Sequence, residues 1–337
     1  MVGQVDDSYR VLAASYVRGK LCKLRQHIEG ASASEGVEHV HQARVASRRL
    51  RTALRVFAGC FPGKDVKRWR KELRRAARAL GPARDRDVQI AFVSDVLSGL
   101  EDRRIRPGVR RLLLRLEQER DALQAKVVKA AEGVEASGVI RDMMGEVGGM
   151  LLDLESRKVE PRSEFAYARG EEHIRRRLDE LLAQEGCISD PDDQAAHHRM
   201  RISAKRLRYA MEMFAEAYDG GLDEAIDAAK RMQTLLGEIH DCDVWAGQLV
   251  EFGEAELART VEYYGHARPF SRLRPGIEYM KQERREHRER VFAEAAAYWD
   301  ELRARNFWQD LGDSLRSCAD QSAHMAGRPK GGAPRAC

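Results

Sequence analysis

A histidine followed by arginines at helical spacing is the first chemistry the sequence offers. In HQARVASRRLRTALRVF, the residues Arg44, Arg48, Arg51 and Arg55 stand 3, 7, 10 and 14 positions after His41, one continuous stripe on a 3.6-residue helix. Ala46, Leu50, Ala53, Leu54 and Phe57 fall on the opposite side and are the expected core face. Arginine presents a planar fork of donors that matches phosphate oxygens two at a time, and it loses its water cheaply. A histidine at the head of the stripe adds a donor that strengthens on protonation. Like charges three and four residues apart repel, so such a stripe needs carboxylates from a neighbouring helix or an external anion.

The stripe occurs twice. HRMRISAKRLRYAMEMF repeats it 157 positions later with His198, Arg201, Lys205 and Arg208, while Arg206 takes the place of Arg49 and Glu212 the place of Arg55. A second landmark follows each copy at nearly the same distance, LGPARDRDV at 80–88 and LGEIHDCDV at 236–244. Its aspartates, Asp85 and Asp87, then Asp241 and Asp243, are candidates for supporting the arginines and for capping a helix start. A further basic helix carries Lys71, Arg74, Arg75 and Arg78 in the first copy, but only Lys230 and Arg231 at the matching places in the second. The first copy is therefore expected to carry more of the binding.

The elements that must position these residues are helical throughout. Nine prolines in 337 residues and no strand-type alternation predict an all-α chain. Helices are expected over about 8–29, 37–58 and 66–80, with a fourth starting at Asp85 or Asp87 after Gly81-Pro82. The recurrence predicts two four-helix-bundle-like halves, 1–158 and 159–325, related by internal duplication and pseudo-two-fold symmetry, each burying a core of its own. The Gly/Pro-rich stretch 326–337 is expected to be a disordered tail.

Charge is segregated along this chain. Residues 41–79 hold thirteen Lys and Arg against Asp65 and Glu72, a local +11 in a chain of net +5, so the remainder is acidic. A basic zone on an acidic background implies a localised anionic partner. Aromatics at 7% offer few platforms for stacked bases. The six cysteines form no CxxC pair and no cluster, which argues against a zinc site or a disulfide framework. His39 with His41 and His197 with His198 lack a carboxylate at ligand spacing, so no metal site is expected. No apolar run reaches the roughly 18 residues of a membrane span and the first residues lack a signal-peptide layout, which makes the cytoplasm the expected compartment.

The two landmarks, HxxRVxxRRLRxxLRxF and LGxxRDxDV, each occurring twice, resemble the CHAD family (conserved histidine α-helical domain) over about residues 8–320. The resemblance implies two helical bundles with basic residues lining a shared groove or pore, and inorganic polyphosphate as the ligand. Carried onto this sequence, the implied contacts are His41, Arg44, Arg48, Arg49, Arg51, Arg55, Arg74 and Arg75, then His198, Arg201, Lys205, Arg206, Arg208, Lys230 and Arg231. Glu212 departs from the pattern at its corner. Some relatives carry a triphosphate-tunnel enzyme marked by ExExK, which this sequence does not show. The expectation is a stand-alone, non-catalytic polyphosphate-binding module without cofactor, associated with polyphosphate granules. The charge alone also admits nucleic-acid binding. The four aspartates admit a divalent-metal phosphohydrolase.

Overall fold

The computed structural model describes residues 5–326, with side chains described to residue 320. Eleven α-helices, three 3₁₀ turns and no strand make up its regular structure among the described residues. They are α1 (Asp7–Ser32), α2 (Val37–Val56), α3 (Gly63–Ala79), α4 (Gly81–Gly99), α5 (Arg106–Ala136), α6 (Val139–Ser156), α7 (Glu164–Leu182), α8 (Gln194–Tyr218), α9 (Asp223–Tyr264), α10 (Arg274–Ala304) and α11 (Phe307–Ala326). The expected boundary at 158/159 falls between α6 and α7, with six helices before it and five after rather than about four on each side. The tail expected beyond 326 lies outside the described residues.

The two basic segments form α2 and α8, and their apolar faces are inside as the periodicity requires. Ala46, Leu50, Ala53, Leu54 and Phe57 are all buried. Asp193 caps α8 by accepting from the Ala196 amide at 2.8 Å. Phe57 and Phe214, each ending its basic segment, meet with ring centroids 5.8 Å apart beneath Tyr9. α1 lies centrally, against α2, α5, α6, α7 and α8.

The core does not respect the boundary between the halves. One apolar cluster runs from Tyr9 of α1 to Leu315 of α11. A second, smaller cluster joins Val93, Val109, Leu112, Leu116, Trp245, Leu249 and Met280, drawn from α4, α5, α9 and α10. Beside that cluster α5 and α10 cross at two glycines. A Cβ on Gly108 would stand 2.1 Å from the Leu273 carbonyl oxygen and 2.8 Å from the Gly276 Cα.

The helix joints differ from expectation at the second landmark. α4 begins at Gly81, with Pro82 in its first turn, so Asp85 and Asp87 lie within the helix and cap nothing. In the other half α9 runs unbroken for 42 residues through 236–244, because no proline follows Gly237, and Asp241 and Asp243 are mid-helix.

His173 of α7 is buried against Phe214, its ring stacked at 6.0 Å. Arg176 Nη2 donates to its Nδ1 at 3.1 Å, which leaves the proton on Nε2. Burial, then the charges of Arg169 and Arg176, hold its pKa down at about 4. A histidine depressed in the fold favours folding above its unfolded pKa, and that contribution drains as pH falls. Between pH 7 and pH 4 the protein is expected to lose on the order of 3 kcal/mol through this residue. Urea titrations across that range, on wild type and His173→Gln, check it. An unchanged pH slope in the variant places the titration elsewhere.

Candidate anion-binding groove

α2 and α8 face α4 and α9 across a cavity of about 840 Å³. Its walls hold His41, Arg44, Arg48 and Arg51 of α2, Arg78 of α3, Arg84 and Asp85 of α4, and Arg201 of α8. Glu238, His240 and Asp241 of α9 and Arg284 and His287 of α10 complete the charged lining. Seven arginines thus face three carboxylates. Gln89 Nε2 donates to Gln248 Oε1 at 2.5 Å, tying α4 to α9.

The LG step of each second landmark lies beside an arginine. A Cβ at Gly81 would lie 2.6 Å from Arg44 Nη1, and one at Gly237 lies 3.6 Å from Arg201 Nε. Neither glycine has a left-handed backbone; at Gly81 the close approach is of the Arg44 guanidinium, while the contact at Gly237 is an ordinary one that a side chain could keep.

Most of these cations are not neutralised internally. Arg44 lies 3.9 Å from the exposed Asp85, a loose pair. Arg48, Arg51, Arg78, Arg84 and Arg201 line the cavity with no ion pair among the described residues. Burial, then repulsion from Arg74, Arg55, Arg70 and Arg78, pulls the Arg51 pKa below the usual arginine value. Burial, then Arg48, Arg201, Arg206 and Arg208, brings Lys205 down to about 8. His41 is lowered by burial and by Arg84, and His240 by burial, Arg201 and His198. Asp241 is raised by burial, with Arg201 opposing. His198 and His240 meet Nδ1 to Nδ1 at 3.3 Å, one donating to the other, so the pair cannot hold both protons there.

The residues singled out from the sequence divide into three groups. His41, Arg44, Arg48, Arg51, Arg78, Arg201, Asp85 and Asp241 line the cavity, and His198 adjoins it through His240. Arg55, Arg74 and Arg206 are exposed beyond its α2 end, Lys71 is exposed on α3, and Lys205 sits half-buried between them and the cavity. The third group lies elsewhere. Arg49 donates to Glu212 at 3.1 Å, Arg208 is 3.4 Å from the same carboxylate, and both guanidinium groups rest against Tyr209, so they brace α2 on α8. Arg75 is held by Glu72 at 2.7 Å on the α5 side of α3. Lys230 and Arg231 open onto a different depression, where Arg231 covers Tyr298 at 4.0 Å and lies 3.6 Å from Glu294.

Two of the four aspartates are also corrected. Asp87 and Asp243 do not support the arginine stripes; they are partners of Arg120 on α5 at 2.5 Å and Arg288 on α10 at 2.6 Å. Asp87→Asn is expected to cost about 3 kcal/mol, because it leaves a poorly solvated guanidinium without its counter-charge, while anion affinity stays unchanged. Thermal melts beside an anion titration check both halves of that statement.

Sequence reasoning missed Arg84, Glu238, Arg284 and His287. Arg84 was readable, since it stands inside the LGPARDRDV landmark. Arg284 and His287 carry no local signal. They enter because α10 packs on α9, where His287 lies 3.1 Å from Glu238 and the Arg284 guanidinium covers Phe92 at 3.8 Å. Among the described residues, no three His, Cys, Asp or Glu are grouped to hold a metal ion, and no helix is long and apolar enough to cross a membrane.

Comparison with known proteins places this geometry. Two curated relatives, the uncharacterized proteins MT2285 and Rv2226 of two Mycobacterium tuberculosis strains, are each 28% identical over 239 residues. The match takes 65% of this chain but 41% of theirs, so the chain spans about two fifths of their length. The crystal structure of the CHAD domain from the plant Ricinus communis superposes with a TM-score of 0.59 at 22% identity, covering 88% of this chain and 92% of that one, a likeness of fold. The CHAD domain family model matches residues 15–250, a stretch that contains both basic helices and both LG landmarks, and the chain therefore belongs to the CHAD domain family.

Proposed function

We propose that this protein binds inorganic polyphosphate in the groove between α2, α4, α8 and α9, and does so without catalysis. The observation that carries the reading is the set of cavity-lining arginines without internal counter-ions, a charge that an external polyanion neutralises. The family's link to polyphosphate agrees with it. A chain of repeating phosphates meets repeating guanidinium groups along α2, whereas a single phosphate engages only one turn. Such a module suits recruitment to polyphosphate granules.

Calorimetric titration with long-chain polyphosphate at two salt concentrations tests the proposal, with duplex DNA and a single strand in parallel. Affinity is expected to fall steeply with salt, as it does when a polyanion sheds condensed counter-ions. Nucleic acid that displaces polyphosphate at equal phosphate concentration makes the groove a nucleic-acid site instead. Orthophosphate release in the presence of magnesium or manganese makes the protein an enzyme. Near pH 8 binding is expected to take up protons, because a polyanion near Lys205 raises an amine pKa that burial and Arg48, Arg201, Arg206 and Arg208 hold at about 8. Titrations in buffers of different ionisation enthalpy read that uptake directly.

A further inference from the structure

The exchange of Arg55 for Glu212 between the two basic helices makes the flanks of the α2–α8 contact electrically unequal. On one flank Glu212 gathers Arg49 at 3.1 Å and Arg208 at 3.4 Å, and the charge there is internally satisfied. On the other flank the matching position is Arg55, which faces Arg206 instead of a carboxylate. Burial, then Arg70 of α3, Arg177 of α7, Arg206 and Arg74, holds the Arg55 guanidinium below its usual pKa. Glu180 is a carboxylate among them. It takes Arg177 as a partner and lies 3.6 Å from Arg206, and its second oxygen has no hydrogen-bond donor. Arg55 and Arg70 make no ion pair among the described residues.

This cluster is continuous with the groove. Arg51 lines the cavity and stands in the field of Arg55 and Arg70, so positive charge passes from Arg44 along α2 and out over α3 and α7 without a break. From Arg44 to Arg55 the helix rises about 16 Å. Three linked phosphates placed at Arg44 and Arg48 end short of Arg55, whereas a long chain continues onto it.

We infer that Arg55, Arg70, Arg177 and Arg206 form a second anion subsite, outside the cavity, that holds the distal phosphates of a long polyphosphate and makes the protein discriminate by chain length. The inference rests on the polyphosphate reading above. Because Glu212 neutralises the opposite flank, the long chain leaves the groove on the α3–α7 side only.

The experiment is calorimetric titration of the full chain with tripolyphosphate and with long-chain polyphosphate, for wild type and Arg70→Gln/Arg177→Gln. The double variant is expected to bind the long chain about 10-fold more weakly and to show a smaller salt slope, with tripolyphosphate affinity unchanged. Glu180→Gln, which removes the carboxylate within the cluster, is expected to bind the long chain about 3-fold more tightly and tripolyphosphate as before. Equal losses for both ligands, or no loss for either, overturn the subsite while leaving the groove standing. A wild type that binds neither ligand overturns the polyphosphate reading itself. Helical circular dichroism confirms that each variant folds, and the gain expected from Glu180→Gln cannot be produced by misfolding.

Discussion

Arg44→Gln, Arg48→Gln and Arg51→Gln combined are expected to remove polyphosphate binding almost entirely while leaving the protein at least as stable as before. Each guanidinium–phosphate contact is a hydrogen bond between charged groups, for which about 1.5–3 kcal/mol is typical. Three lost contacts therefore weaken binding on the order of a thousandfold or more. The salt dependence should flatten by about three counter-ions. Stability moves the other way, because Arg51 is already held in mutual repulsion with Arg55, Arg70, Arg74 and Arg78, and Arg44 has only its loose contact with exposed Asp85 to lose. A site kept at the expense of the fold is the usual signature of function. Wild-type affinity in a folded triple variant removes the groove as the binding face. A large fall in melting temperature shows instead that these arginines are structural.

Gly108→Ala carries the largest expected cost to the fold. The added carbon meets the backbone oxygen of Leu273 at 2.1 Å and the Cα of Gly276 at 2.8 Å, and neither is a side chain that can swing aside. α5 and α10 must separate, which opens the small cluster around Val109, Leu112, Trp245 and Met280. Overpacking of this kind costs about 3 kcal/mol or more when backbone has to move. Gly276→Ala is expected to behave alike, since its Cβ would lie 2.3 Å from the Ile105 carbonyl oxygen. Denaturant titration reads both. A loss below about 1 kcal/mol in either variant means that the helices slide apart easily there.

Periodicity placed the two basic helices of the groove. The buried face of α2 follows from the spacing of Leu50, Leu54 and Phe57, and the charged face from His41 through Arg55, because both obey the same 3.6-residue repeat. The spacing of the landmarks also brought the right helices into view. What the sequence did not disclose is which distant partner each charged residue meets. The wheel puts Arg48 on the stripe and Arg49 beside it, and the resemblance implied both as contacts, yet Arg48 lines the cavity while Arg49 is tied to Glu212 on a helix 163 residues away. The same holds for Asp85 and Asp87, two positions apart, of which one is exposed beside Arg44 and the other is sealed against Arg120. Such assignments depend on partners from distant elements, and a helical wheel contains none of them. The unbroken α9 has a local cause that the analogy with α3 and α4 concealed: Glu238 stands where the first landmark has Pro82.

That single difference has a mechanical side. At about 63 Å, α9 is a stiff rod that carries Glu238, His240 and Asp241 on one wall of the groove, and an uninterrupted ladder of backbone hydrogen bonds resists bending there. The opposite wall is articulated. Leu80 alone separates α3 from α4, and Gly81, the first residue of α4, lies against the Arg44 guanidinium. The α9 wall has no counterpart to that joint, so bending of the groove's lining is expected at Leu80 before it is expected along α9.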